Sequence, residues 1–326
     1  MPHSSPVSHT TSVVPADKTD TVHSYIKSAW AGNNSYVLLS RVGPYKLFYK
    51  DFQIGPGKEL ESEVINAYLS LKVRDHNLTS PGKAFHMDTF AMTDMWKKKY
   101  RRLKVDPANY ELIVGIVNKG HHWFLVAVYP SKKKSILLDS MGESNIKKKR
   151  CLETTRYFCT TVRCSVIVKL CILEKTLVCR ALMTENGISA SQWVCESLPH
   201  PLQRDVTSCG VFALKFAEHI LQNTAVDFSN RPQDVTQYRM EIALFLLRQS
   251  DDLSDLCHFC GEAEIFEDAK DDDEAKDTDD DSEDDAKDAD GDIQWISCDY
   301  CGRWFHMKCV GNPSTEDEYK CASCIK

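Results

Sequence analysis

Four closely spaced ligand pairs near the C-terminus, Cys257-x2-Cys260, Cys298-x2-Cys301, His306-x2-Cys309 and Cys321-x2-Cys324, restrict this chain more than any other feature. Two residues between ligands let a tight turn present both to one ion, and eight ligands divide into two tetrahedral sets. The segment holds few apolar side chains, so metal must supply much of its folding energy, on the order of 10–16 kcal/mol per zinc site. We therefore expect residues 255–326 to form a small domain held by two structural zinc ions.

An acidic run interrupts that domain between its first and second ligand pairs. Residues 267–292 carry sixteen Asp and Glu against three Lys, a net charge of −13 in a chain whose total is −7, which leaves the rest mildly basic at +6. Such a run is expected to be a solvated, disordered loop. It could also attract basic tails or cover the basic face of the remaining chain. Residues 1–30, rich in Ser, Thr, Pro and His, are likewise expected to be disordered. No basic region followed by an apolar run opens the sequence, so a secretory signal is not expected. The most apolar stretch, Ser165–Leu182, is broken by Lys169, Glu174, Lys175 and Arg180, which argues against a membrane span. Fourteen cysteines in such a chain read as metal ligands and thiols rather than disulfides.

Residues 36–250 carry a globular pattern of their own. After the turn Gly55-Pro56-Gly57, residues Leu60, Val64, Ile65, Tyr68, Leu69 and Leu71 share one helical face. Phe90–Arg102 reads as a second helix, with Lys97, Lys98, Lys99, Arg101 and Arg102 forming a solvated face or a nuclear import signal. The apolar runs Leu112–Val117, Trp123–Tyr129 and Ile136–Leu138, separated by turn signals, predict a strand meander covered on both faces. His122 opens the second strand and Asp139 ends the third, and antiparallel neighbours bring the start of one near the end of the next. A further helix is expected over Thr236–Leu247.

In the stretch Pro201–Leu221, Val211, Phe212, Leu214, Phe216, Ala217, Ile220 and Leu221 recur at helical spacing. Cys209 then falls in the first turn, where unpaired backbone N–H groups and the helix dipole favour a thiolate. Gly210 removes bulk beside the sulfur, and Gln203 offers an amide donor that a loop could aim at an oxyanion. The same residues also fit a buried structural cysteine opening a core helix.

The order His122-Trp123, then Asp139 within Leu137-Leu138-Asp139-Ser140-Met141, then Gln203 and Cys209-Gly210, resembles the ubiquitin-like-protein-specific cysteine proteases, the SUMO or sentrin proteases, from about Leu47 to Gln249. The resemblance implies an α+β papain-like domain of the cysteine proteinase superfamily, with a mixed sheet flanked by helices. It implies Cys209 as nucleophile, His122 as general base and then acid, and Asp139 holding the imidazole. Gln203 would join the Cys209 backbone N–H in the oxyanion hole, and Trp123 would wall a channel for a Gly-Gly tail. His121 competes as base, but in the family the histidine directly precedes the tryptophan. The implied reaction is hydrolysis after the C-terminal Gly of a ubiquitin-like modifier, with no cofactor for catalysis.

Three departures accompany the resemblance. Glu59 stands where the family's first helix opens with a tryptophan; Ser208 and Asp205 replace the usual Asp and Asn; and the span from Asp139 to Gln203 is long. The excess lies in Thr161–Arg180, which reads either as an inserted strand or helix or as translated intron. The ligand order in the last segment resembles a plant homeodomain (PHD) finger, whose interleaved cross-brace pairs Cys257, Cys260, His306 and Cys309 on one zinc and Cys298, Cys301, Cys321 and Cys324 on the other. In that family Trp295 and Trp304 occupy methyl-lysine cage positions, although Trp304 equally reads as core. The whole is expected to be a nuclear, or nuclear and cytoplasmic, thiol isopeptidase. Its expected partners are a SUMO-type modifier with its conjugates and a histone tail, with no direct nucleic-acid or membrane contact. The alternative is a weak or inactive protease-like domain that binds modifier or chromatin, for which Glu59 and Ser208 speak.

Overall fold

The computed structural model describes residues 16–99, 105–161, 193–264 and 293–325. The unusual stretch 162–180, the acidic run and Arg101 and Arg102 lie outside the described residues.

The apolar runs form the centre of a sheet of order β3-β4-β5-β6-β7. Its strands are β3 (Ala84–Met87), β4 (Leu112–Asn118), β5 (Trp123–Tyr129), β6 (Lys134–Leu138) and β7 (Val194–Glu196), which follow β1 (Leu38–Val42) and β2 (Tyr45–Phe48) in the chain. The meander β4–β5–β6 is antiparallel, and β3 and β7 pair in parallel at its two sides, so the sheet is mixed. Side chains alternate across a strand, and on β5 this sends Leu125 and Ala127 into one core and Phe124, Val126 and Val128 into another. The first core is closed by α2 (Ser62–Thr79), α5 (Cys209–Gln222) and α6 (Pro232–Arg248); the second by α3 (Thr89–Trp96) and α4 (Asn145–Thr161). Burial on both faces explains why these strands read as continuous apolar runs instead of alternating ones.

Two expectations are corrected. Residues 16–30, expected to be disordered, form helix α1 (Ala16–Trp30), on which Ile26 and Ala29 are buried and Tyr25 and Trp30 partly so. Val22, Tyr25, Ile26, Ala29 and Trp30 make a stripe at helical spacing that the polar composition obscured. Tyr25 meets the Tyr49 ring edge-on at 6.1 Å, while a side chain at Gly55 would come within 3.2 Å of the Trp30 ring. The helix expected over Phe90–Arg102 ends at Trp96, with Lys98 in the left-handed region at φ 65°.

The C-terminal finger consists of β8 (Trp295–Ser297), β9 (Trp304–His306) and the loops carrying the ligand pairs. It is docked on the preceding domain. The Leu38 N–H donates to the His258 carbonyl at 2.7 Å; Lys46 Nζ donates to the Cys260 carbonyl at 2.7 Å and to Glu262 at 2.6 Å. Arg41 reaches the Gly261 carbonyl at 3.0 Å. The Arg303 guanidinium lies 4.9 Å from the Tyr25 ring centre and 6.0 Å from that of Tyr49.

Candidate active site

The strand register brings His122 to Asp139. Leu125 pairs with Leu138, so the residues just before β5 and just after β6 lie at the same end of the sheet. His122 Nε2 stands 2.6 Å from Asp139 Oδ1. That contact leaves Nδ1 for Cys209, with whose thiol the ring also hydrogen-bonds. The Asp139 and Cys209 bonds, opposed by partial burial, push the His122 pKa up to about 9, so the ring is held as imidazolium beside the sulfur. His121 is exposed, in the left-handed region at φ 60°.

Asp139 is fully buried. Burial alone would raise its pKa, but bonds from His122, from Lys147 Nζ and from the Met141 N–H outweigh it and hold the carboxyl below the ordinary carboxylate range. Lys147 escaped the sequence reading. Its signal was the lysine run opening α4, eight residues beyond Asp139, where a helix start can turn a cation back toward the preceding strand end.

Cys209 is the first residue of α5, whose early residues are almost wholly buried. Gly210 has a further role: a Cβ there would lie 3.0 Å from Leu60 Cβ, so glycine admits Leu60 against the helix. Leu60 in turn accepts the indole N–H of Trp123 through its carbonyl at 3.1 Å. Trp123 is 5 % exposed and lines a cleft with Glu61, Ser62, Phe90, Asn118 and Lys119. Glu59, immediately before Leu60, is exposed.

Gln203 is held to the Asp139 loop. Its backbone N–H donates to the Ser140 carbonyl at 2.9 Å, and its Oε1 accepts the Ser140 hydroxyl at 2.5 Å. The amide orientation is thereby fixed, with Nε2 as the donor end and one of its hydrogens on the Asp205 carbonyl at 2.6 Å. The Ser208 departure has a local counterpart. Asp205 Oδ1 accepts the N–H groups of Thr207 and Ser208, each at 2.8 Å, and Oδ2 accepts the Ser208 hydroxyl at 2.7 Å. A carboxylate three residues upstream thus organises the turn into α5. Arg239, 1 % exposed, completes it by donating to the carbonyls of Ile54, Lys58 and Thr207 and to Ser208 Oγ.

Two ligand clusters form in the finger, Cys257/Cys260/His306/Cys309 and Cys298/Cys301/Cys321/Cys324, with ligand atoms within 4.8 Å of one another in each. Cys260 Sγ and Cys309 Sγ lie 3.5 and 3.6 Å from His306 Nδ1, and Cys301 Sγ lies 3.7 Å from Cys321 Sγ. A tetrahedral ion with ligands at about 2.0–2.3 Å needs ligand separations of about 3.5–3.8 Å, so the clusters fit a metal of that size. His306 Nε2 faces the Ala263 carbonyl at 3.1 Å, fixing the ring with Nδ1 toward the cluster. Trp295 packs on this ligand, ring centres 4.1 Å apart, and lines a groove with Gln294, Met307 and Pro313–Glu316. Trp304, 47 % exposed, pairs with Ser297 across the hairpin and is not among the groove residues.

Comparison with known proteins identifies the families to which the two domains belong. Residues 58–251, more than half of the chain, match the Ulp1 protease family, C-terminal catalytic domain, and residues 285–324 match the PHD-finger family. A sentrin-specific protease of Caenorhabditis elegans is 23% identical over 230 residues, covering 68% of this chain and 30% of that protein. Sentrin-specific protease 2 of Homo sapiens is 24% identical over 190 residues, 56% of this chain and 29% of that protein. The chain therefore spans less than a third of the length of these relatives. Among solved structures, the C-terminal Ulp1 protease domain in complex with Smt3, the yeast ortholog of SUMO, superposes with a TM-score of 0.53 at 16% identity, covering 72% of this chain and 96% of that one. The Ulp1-like SUMO protease catalytic domain of Chaetomium thermophilum gives 0.53 at 18% identity, with 71% and 90% covered. A mixed sheet flanked by helices, a helix that begins at Cys209 and a family match over most of that domain lead to one conclusion: the chain belongs to the Ulp1 protease family, its catalytic domain being joined to a C-terminal PHD finger.

Proposed function

We propose that this protein is a cysteine peptidase that hydrolyses the bond after the C-terminal Gly of a SUMO-type modifier. The observation that carries the reading is the His122 imidazolium, bonded on one side to buried Asp139 and donating on the other to the Cys209 sulfur at the start of α5, which in this reading reacts as the thiolate of that ion pair. In this reading the Cys209 sulfur attacks the Gly carbonyl, and the Gln203 amide and the Cys209 backbone N–H receive the oxyanion. His122 gives its proton to the leaving amine, then takes one from the water that releases the thioester. The cleft beside Trp123 receives the extended tail of the modifier. The test is steady-state cleavage of a modifier fused at its C-terminal Gly. Turnover that disappears in Cys209→Ala supports the reading, and turnover that persists in that variant refutes the nucleophile.

The finger is proposed to hold two structural zinc ions in the two clusters and to bind a histone-like tail through Trp295 and Trp304, which would place the enzyme in the nucleus. The separations between ligand atoms support the first part; for the second, the groove beside Trp295 supports Trp295, while exposed Trp304 lies outside it. Titration with methylated and unmodified tail peptides tests the second part; no saturable binding to either would reduce the finger to its docking contacts.

A further inference from the structure

A second histidine–carboxylate pair lies behind the first. His200 Nε2 is 2.6 Å from Glu143 Oε1, with side-chain exposures of only 4% and 11%. The same Glu143 oxygen accepts the Asp139 backbone N–H at 2.9 Å. The other ring nitrogen, Nδ1, faces the Pro201 carbonyl at 3.1 Å. Carboxylate and carbonyl are both acceptors, so both ring nitrogens must donate, and the ring that satisfies this geometry is an imidazolium. Burial opposes that charge, but Glu143 and the Pro201 carbonyl outweigh it and raise the ring's pKa. The His200 ring also packs on Phe216 of α5, centres 4.8 Å apart.

From these contacts we infer that Glu143 and His200 are a positioning pair: they clip the loop carrying Gln203 to the loop carrying Asp139, and so set where the oxyanion donor stands. His200 lies three residues before Gln203, and Glu143 four residues after Asp139. The two loops meet at a second point, where Gln203 exchanges bonds with Ser140 through both its backbone and its side chain. Two attachment points fix an orientation where one would leave a hinge. Because Oε1 of Gln203 is occupied, a shift of this loop moves Nε2 away from the reacting carbonyl without moving the Cys209–His122 pair. A misplacement of about 1 Å at such a donor costs up to about 100-fold in rate.

The inference rests on the peptidase reading, and the test separates the two. In the full-length protein, Glu143→Ala is expected to lower kcat about tenfold or more with KM within about twofold. The rate at which iodoacetamide alkylates Cys209 should change far less than kcat, since that reaction uses no oxyanion donor and, though the Asp139 N–H loses Glu143, the Asp139 carboxylate keeps its bonds to His122, Lys147 and the Met141 N–H. Glu143→Gln, whose Oε1 can still accept both N–H groups, is expected to keep at least about a third of the wild-type kcat. Unchanged kcat in Glu143→Ala, a parallel fall in alkylation, or a Glu143→Gln variant as impaired as Glu143→Ala would each overturn the inference. If Glu143→Ala does not fold, His200→Gln, which keeps one donor, is read by the same criteria. Amide hydrogen exchange over residues 198–206 decides the clip independently of turnover: it should quicken in Glu143→Ala while α2 exchanges as before. Unchanged exchange refutes the clip, whereas quickened exchange in Glu143→Ala together with a wild-type protein that proves inactive would refute only the peptidase reading.

Discussion

The indole N–H of Trp123 donates to the carbonyl oxygen of Leu60 at 3.1 Å, joining the strand after His122 to the residue whose side chain packs on Gly210 beside the sulfur. This bond fixes one wall of the cleft. For the opposite wall the resemblance calls for a second aromatic at position 59; this chain has Glu59, which is exposed and is not among the residues lining the cleft. A carboxylate offers fewer dispersion contacts than an indole and keeps water in the channel. Glu59→Trp is therefore expected to raise kcat/KM for a SUMO-type fusion several-fold, to about 10-fold, by holding the tail in place. A lowered kcat/KM would show that another residue already supplies that wall.

The His122 charge predicts the alkaline limb of the activity profile. With the pKa pushed up to about 9, the ring keeps its proton through neutral pH, and turnover should fall as pH rises through about 9 because the leaving amine loses its acid. The stabilisation from the His122–Asp139 pair follows the same sign: it is complete below the ordinary histidine range and is lost as pH rises through the raised value. Asp139→Asn removes the first cause of the shift, so the limb should move to lower pH and kcat/KM should drop about 100-fold to 10,000-fold. His121→Ala should leave both nearly unchanged; equal losses in His121→Ala and His122→Ala would reopen the choice of base. The pH–rate profiles of these variants check the sign directly.

Arg239 carries a buried charge whose partners are three carbonyls and the Ser208 hydroxyl. Removing the guanidinium strands those acceptors and frees the Asp205–Ser208 turn before Cys209. Arg239→Ala is expected to destabilise the protein by about 3–5 kcal/mol, the range for breaking a buried charged network. Urea denaturation of the metal-loaded protein measures it, and a loss below about 1 kcal/mol would contradict this role.

Chelation should destabilise more than the finger. The ligand pattern by itself marks only residues 255–326 as depending on metal. The structure instead ties the first ligand loop to β1 and β2 through the His258, Cys260 and Gly261 carbonyls. Metal removal is expected to lower the Tm of the catalytic domain by several degrees, roughly the effect of losing 1–2 kcal/mol. An unchanged Tm would make the docking energetically idle, and elemental analysis giving fewer than two zinc ions per chain would contradict the site assignment.

The residues proposed for chemistry were legible because each sits in a short, chemically pointed context: His122 beside Trp123, Asp139 at a strand end, Cys209 at a helix start, and ligands at two-residue spacing. Strand register then brings His122 to Asp139, which pairing rules anticipate. Partners contributed from elsewhere in the chain were not legible. Glu143 and His200 are 57 residues apart, and Arg239 meets Ser208 across 31; neither pair leaves a local pattern. Helix α1 was missed because its apolar stripe is short and set among Ser, Thr and Lys. The docking of the finger combines backbone carbonyls, which carry no sequence signal, with side-chain contacts far apart in the chain, Lys46 to Glu262 and Arg303 to Tyr25, which leave no local pattern.

The central claim is that Cys209, beside His122 and Asp139, attacks the carbonyl of a modifier's C-terminal Gly. The most direct measurement is incubation of the full-length protein with ubiquitin-like modifiers bearing a C-terminal electrophile, followed by mass spectrometry of the adduct. The account predicts a single adduct with a SUMO-type probe, mapped to Cys209 and absent in Cys209→Ala. An adduct on another cysteine, or none from a protein whose Cys209 is shown to be reduced, would contradict it.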